Sequence, residues 1–388
     1  MTSYRPPLDG IRVLELGSSV AGPAAGRLLA DLGAEVIKVE SAEGDGLRTW
    51  GPPAADGTSW WFKSHNRNKR FVEFDLHDEG DRRTVREIAL RCDVVLENFR
   101  PGRLEEWGLG YESLRAENPR IVYASISGYG QDGPYRNRTG FGNIAESMSG
   151  LRYVTGYPDR PPVRVGVSLA DELAALYCVV GIQAALLARE RDGVGDYVDI
   201  SLLESSIALT QGMLAEYDAL GIVRERTGNS HIAVAPSNIY PTRDGRWIAI
   251  GANANSLFRR FVAAMGRPEL ADDPRFRGNR ERTEHTAEID ALIADWTRTI
   301  DADEAARLLA DAGVPAGPVY SIADIVADEQ VRARGVVRHL SDDAGNRVAT
   351  TAPVPRFRAH PTVSDHAARA IGADTTAVLD ELGIGGAP

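Results

Sequence analysis

The chain of 388 residues carries 55 acidic against 44 basic side chains, a formal net charge of −11, with 43% hydrophobic residues. That length accommodates two domains, or one large domain with an insertion, and the acidic balance argues against a nucleic-acid partner because no basic domain is present to neutralise a phosphate backbone. Cys92 and Cys178 lie far apart, and the seven histidines are scattered without metal-ligand spacing, so neither a disulfide framework nor a metal site is expected. No signal pattern opens the chain and no uninterrupted apolar run reaches membrane-spanning length, so a cytoplasmic protein without a membrane partner is expected.

The first half alternates strands with helices. Ile11–Leu16 reads as a strand, 24–32 as a helix ending at Gly33, Glu35–Glu40 as a second strand, and 70–75 alternates at period two. A helix over 80–91, a strand over 93–97, a helix over 104–117 and a strand over 120–126 continue the pattern. Strands spaced by helices in this way predict a parallel sheet with crossover helices, a doubly wound α/β domain. Residues 196–202 read as a further strand of that sheet. A helical segment near 204–221 then leads to a hairpin over 237–250, signalled by Asp244-Gly245. Helices around 256–265, 287–298 and 302–312 form a smaller mixed α+β domain, and the tail holds a short hairpin around Ala344-Gly-Asn346 and a helix near 375–382 capped by Gly383.

The most telling stretch runs from Val163 to Leu187. After Asp171-Glu172 the sequence is apolar on nearly every side, broken only by Gln183, which predicts a buried helix. A small-residue approach (Gly166, Ser168, Ala170) places one carboxylate at the first turn of that helix. Apolar surroundings there would control its ionisation, as a nucleophilic or acid–base aspartate requires; Asp171 or Ser168 acting as a helix cap accounts for the same pattern.

Gly17-Ser-Ser-Val-Ala-Gly22-Pro23 is a strand–turn–helix junction with proline read at the first helical position, an anion-friendly helix start. Its G-x-x-x-x-G spacing is not a dinucleotide fingerprint, although Glu40 stands where such a fold has its ribose-binding acid. Gly128-Tyr-Gly-Gln-Asp-Gly133 has the G-x-G-x-x-G spacing but precedes Pro134 and a polar loop, and reads as a crevice loop after a strand. No phosphate-loop lysine motif, H-E-x-x-H or G-x-S-x-G occurs.

Taken together, Asp9-Gly-Ile-Arg-Val-Leu-Glu-Leu16, Ala21-Gly-Pro23, 31–40, Asn66-Arg-Asn-Lys-Arg70, Glu97-Asn-Phe-Arg-Pro-Gly102, 125–134, 162–166, Asp171, 181–186 and Leu379–Gly383 resemble, in order, the family III CoA-transferases (CaiB/BaiF; the formyl-CoA and carnitine CoA-transferase group). The resemblance implies a Rossmann-like large domain (1–203, completed by 341–388), linkers at 204–226 and 319–340, a small inserted domain at 227–318, and an interlaced homodimer. It implies a transferase moving CoA from an acyl-CoA to a small carboxylic acid, with no tightly bound cofactor. Asp171 would form first an anhydride with the acyl group and then an aspartyl–CoA thioester. An aspartate, with an unperturbed pKa near 3.9, is already ionised at neutral pH and needs no separate base. By position, Val20, Ala21, Phe74, His77, Asn98 and Phe99 would bind CoA, and the basic tract offers Arg67 or Lys69 to its phosphates, although a solvated loop accounts for that tract as well. Oxyanion donors are expected from the backbone at the Asp171 helix start and in 228–235. Arg164 stands as a partner for a second substrate carboxylate or as a structural ion pair.

This sequence departs from the formyl-CoA transferases at several of these positions. Val20 replaces a glutamine, Ser41 and Glu106 replace arginines, Thr139 replaces a lysine, and 230–236 lacks a glycine-rich run. Formate or oxalate is therefore not the expected substrate, and small dicarboxylates such as succinate fit better. A branch of the same fold racemises 2-methylacyl-CoA esters with a His–Asp pair at the positions of Phe141 and Gly142, which cannot move protons. A non-catalytic acyl-CoA binder would keep the same fold, and the first βαβ unit taken alone would suit a NAD-dependent oxidoreductase.

Overall fold

The period-two strands of the first half assemble into one sheet. In the computed structural model, which describes residues 4–385, the elements run β1 (Arg12–Leu16), α1 (Ala21–Asp31), β2 (Glu35–Glu40), α2 (Trp60–His65), β3 (Lys69–Glu73), α3 (Glu79–Leu90), β4 (Val94–Glu97), α4 (Arg103–Glu106), α5 (Tyr111–Arg115), β5 (Val122–Ser127), α6 (Gly142–Met148), α7 (Leu151–Val154), α8 (Leu169–Asp192) and β6 (Tyr197–Ser201). The strands are ordered β3-β2-β1-β4-β5-β6 and every pair is parallel. This is the doubly wound order, whose direction of winding reverses between β1 and β4 and opens a crevice beyond their carboxyl ends.

Alternate residues feed opposite layers. Val13, Val36, Val94, Val122 and Ala124 pack with Ala24, Ala25 and Leu29 of α1 and with Ala174, Cys178 and Ile182 of α8. Leu14, Ile37, Val72 and Val95 pack on the other face with Val85 and Ile88 of α3. The alanines of α1 and α8 let these helices lie close, and Gly181 sits where a Cβ would meet Val198 Cγ1 at 2.6 Å.

Three sequence expectations change here. The helix expected over 104–117 is two short ones, because Gly108 takes φ +71° and Gly110 stands as N-cap of α5. Pro23 is the third residue of α1, not the first; its missing N–H is still among those a helix start leaves unpaired. Finally, α8 is buried on one side only. Leu176, Tyr177, Val180 and Leu187 are exposed, Leu187 by 75%. An 18-residue window of the 24-residue α8 has a mean hydropathy of 1.5, enough to cross a membrane by length and composition alone. Its Ala174–Cys178–Ile182 side is packed on the sheet instead.

The chain divides into two compact units. The first comprises the residues up to Leu151, Arg164–Gly221 and those from Arg332 on; the second comprises Arg152–Val163 and Ile222–Val331. Helices α9 (Leu202–Ile207) and α10 (Gln211–Leu220) close the central part of the first unit. In the second, β7 (Ser237–Pro241), β8 (Trp247–Gly251) and a later strand form an antiparallel sheet around helices α11 (Asn255–Ala264), α12 (Asn279–Glu284), α13 (Thr286–Thr297) and α14 (Ala302–Asp311), the last sheet strand being β9 (Ala316–Pro318). Two short helices, α15 (Ile322–Ala327) and α16 (Glu329–Ala333), precede the hairpin β10 (Val337–Ser341)–β11 (Arg347–Thr351) and the final α17 (Thr375–Leu382). Asp374 ties this tail to β3 through Phe71, accepting from its N–H at 2.8 Å and donating its own N–H to the Phe71 carbonyl at 2.9 Å.

Candidate active site

Two adjoining clefts occupy the crevice of the first unit. The larger, about 400 Å³, is lined by residues following β1, β2 and β3, including Phe74, His77 and Trp107. The smaller, about 180 Å³, contains Val20, Ala21, Asn98, Thr139 and Asp171. Ser18 and Phe99 line both, so the clefts share a wall.

The turn after β1 separates them and is held on every side. Lys38 Nζ donates to the Gly17 carbonyl at 2.5 Å. Asn98 accepts from Ser18 N–H at 2.9 Å and donates to the Ser18 carbonyl at 2.8 Å. Asp45 accepts from the N–H of Ser19, which takes a left-handed φ of +64°. His65 donates from Nε2 to the Val20 carbonyl at 3.1 Å; burial, with Arg27 nearby, brings its pKa to about 3, so the ring stays neutral. Asn98 also explains the glycines of this turn, since a Cβ on Gly17 would lie 2.9 Å from its Oδ1.

Asp171 is the third residue of α8 and lies in the smaller cleft. Ser168, the N-cap, makes no side-chain capping bond, which corrects its capping role. The Asp171 carboxylate accepts from its own backbone N–H and rests over the first residue of α6, where a Cβ on Gly142 would come within 2.9 Å of Asp171 Cγ and closer to Oδ2. Burial raises its pKa to about 6, with Glu146 and Glu172 adding to the rise and Arg164 opposing it. Glu146, on α6, is itself 2% exposed. Such a carboxylate remains largely ionised at neutral pH while being poorly hydrated, the state a nucleophile needs.

The sequence-predicted positions divide between the clefts. Phe74 and His77 line the larger; His77 is paired with Asp75 at 2.9 Å and packs edge-on against Trp107, which in turn meets Phe99. Val20, Ala21, Asn98 and Phe99 stand beside Asp171 in the smaller. Lys69 lies in neither. Fully buried, it donates to the Pro23 carbonyl at 2.8 Å and Asn66 at 2.7 Å and pairs with Glu15 at 2.7 Å, so its assignment to a CoA phosphate is corrected. Arg67 is likewise 2% exposed and paired with Asp31 at 2.5 Å. Glu40 is gripped by Arg48 at 2.6 Å, a structural pair in place of a ribose ligand.

The cations of the crevice are ones that the sequence reading passed over. Arg100, Arg136 and Arg138 line the smaller cleft, whereas the larger has four acidic residues and neither lysine nor arginine in its lining. Their signal was their place in the loops following β4 and β5. The loop 228–235 belongs to the second unit.

A family model described as CoA-transferase family III matches residues 8–375. The chain belongs to CoA-transferase family III. Among similar curated proteins, one named succinyl-CoA–D-citramalate CoA-transferase from Chloroflexus aurantiacus is 46% identical over 385 residues, 98% of this chain and 96% of that protein. The succinate–glutarate CoA-transferase of Agrobacterium fabrum is 37% identical, with 96% of each chain covered. Among solved structures, a CAIB/BAIF family protein from Brucella suis superposes with a TM-score of 0.89 at 38% identity, covering 97% of this chain and 100% of that one. The family III chain is therefore an enzyme that transfers CoA.

The raised pKa of Asp171 has a thermodynamic consequence. The folded state binds this proton more tightly than the unfolded chain, so stability falls as pH rises from about 4 through about 6 and the loss is complete above that range. Asp171→Asn should accordingly be more stable than the wild type at pH 7.5 by about 2–3 kcal/mol, with the advantage gone near pH 4. Urea denaturation at the two pH values measures this.

Proposed function

We propose that the chain transfers CoA between small dicarboxylic acids and that Asp171 is the nucleophile. The observation that carries this reading is the desolvated carboxylate, with a pKa near 6, in the smaller of two adjoining clefts. An Asp171 carboxylate oxygen attacks the thioester carbonyl; the C–S bond breaks, CoA leaves as thiolate, and an aspartyl–acyl anhydride forms. The thiolate attacks Asp171 Cγ and expels the donor carboxylate, leaving an aspartyl–CoA thioester. The acceptor carboxylate then attacks Cγ, the thiolate is released again, and its attack on the acceptor carbonyl yields the new thioester and free Asp171. One thioester is exchanged for another, so the sequence is nearly balanced in energy and needs no nucleotide hydrolysis. Backbone N–H groups at the α8 start are the proposed oxyanion donors, each of which would contribute on the order of 10²–10³ in rate.

The acyl-CoA lies along both clefts in this reading, its thioester at Asp171 and its further end toward Phe74, His77 and Trp107. The choice of dicarboxylates draws on the names of the relatives and on the arginines: Arg100, Arg136 and Arg138 line the Asp171 cleft, and the charge of Arg164 acts on Asp171. A guanidinium meets a second carboxylate bidentately. Racemisation is not favoured, since Phe141 and Gly142 offer no proton-transfer group and a side chain at 142 would collide with Asp171 as it stands.

Assembly forms part of the proposal. The exposed face of α8 (Leu176, Val180, Leu187) continues into an apolar groove of about 690 Å³ with Leu8, Leu28 and Phe357. Covering each such side chain fully would contribute roughly 1.5–3 kcal/mol. A second copy of the chain, in the interlaced homodimer the family resemblance implies, supplies that cover, and the second unit is the proposed inserted domain.

Incubation with succinyl-CoA followed by intact and peptide mass spectrometry should show a covalent acyl or CoA adduct on Asp171, absent from Asp171→Ala. The same variant should lose at least about 10³-fold in kcat. Wild-type kcat in Asp171→Ala would remove the nucleophile from this account. Sedimentation equilibrium at micromolar concentration should give a dimer, and a stable monomer would contradict the assembly.

A further inference from the structure

We infer that Gly142 is a positioning residue: the side chain it lacks is the space in which the Asp171 carboxylate is held. The inference rests on the proposed role of Asp171 and concerns what fixes its orientation.

The three atoms nearest to a Cβ placed on Gly142 are Oδ2, Cγ and Oδ1 of Asp171. No backbone atom and no other side chain is among them. The neighbouring glycines differ. At Gly128 the obstacle is the backbone of Gly140, 3.3 Å away, and at Gly140 it is the ring of Tyr129. Those two glycines answer to the packing of the loop. Gly142 answers to the carboxylate.

Backbone conformation gives no competing reason for glycine. Gly142 is not among the residues with positive φ, and it opens α6 after Phe141 in an extended conformation. An alanine would suit the first position of a helix better than glycine does. The fold can therefore accept a methyl here, and what must yield is the far end of one short side chain. Asp171 would turn about its own torsions, out of the place beside Glu146 where burial and like charge raise its pKa. The empty position also keeps any proton-transfer group away from the reacting carbonyl, which reserves the site for acyl transfer.

The test is Gly142→Ala in the full-length enzyme, assayed with succinyl-CoA beside Asp171→Ala. The expected result is an unchanged or higher melting temperature and a nearly unchanged KM for acyl-CoA. With these, kcat and single-turnover adduct formation should fall on the order of 10²-fold, the loss typical of a reacting group misplaced by about 1 Å. The acidic limb of kcat/KM should also move below its wild-type position as the carboxylate turns toward water. Wild-type kcat and an unmoved limb in Gly142→Ala, with Asp171→Ala inactive, would overturn the inference alone. A melting temperature that drops together with activity would also overturn it, by making Gly142 a packing residue. Activity retained in Asp171→Ala would instead bring down the nucleophile reading on which the inference rests.

Discussion

The withdrawal of one carboxylate from water, against its own electrostatic preference, is the constraint around which this structure is built. Asp171 sits in the positive first turn of a 24-residue helix, a position that by itself favours ionisation. Burial and the nearby Glu146 and Glu172 outweigh that preference and carry its pKa to about 6. The arrangement demands rigidity on both sides. Below the carboxylate, α8 is locked to the sheet and to α1 through alanines; facing it, α6 offers a residue without a side chain.

The crevice leading to Asp171 depends on a second set of constraints, inside the sheet. Glu15, Lys38 and Lys69 are fully buried beneath the first turn. Lys38 bridges Glu15 at 3.0 Å and Asp45 at 3.1 Å; burial opposes its charge, but Glu15, Asp45 and Glu40 together raise its pKa. Lys69 is pushed down to about 8 by burial, against the pull of Glu15. Removing one member of such a group would leave an uncompensated charge, at a cost of about 3–5 kcal/mol. The network fixes the carbonyl of Gly17 and the N–H of Ser19, and so the wall between the two clefts. The basic tract 66–70 thus belongs to the architecture of the site, and the arginines that line the smaller cleft come from later loops.

Much of this was legible in the sequence, for identifiable reasons. Strand alternation, the Asp244-Gly245 turn and the terminal Gly383 fixed element types because those signals are local. Asp171 stood out at the head of a long apolar run without a competing motif. Side-chain direction was less accessible. Lys69 and Phe71 point to buried surroundings while Arg70 reaches Glu381 at the surface, an alternation that a count of positive charges cannot register. The exposed side of α8 was missed because a helix apolar all round looks the same whether its second face meets its own chain or another surface. Arg100, Arg136 and Arg138 were missed because loop residues converge only once the strand order is known, and the role of Gly142 depends on a rotamer of a residue 29 positions later.

The ionisation of Asp171 carries the proposed chemistry most directly, and it can be observed without substrate. Carboxyl carbon NMR of protein labelled at aspartate, with the Asp171→Asn spectrum subtracted, isolates this one group across pH 3–9. A midpoint near 6, well above the ordinary aspartate range, is the predicted result. A midpoint at or below 4 would mean a hydrated surface carboxylate, and would contradict the desolvated nucleophile on which the proposed chemistry and the role of Gly142 both depend.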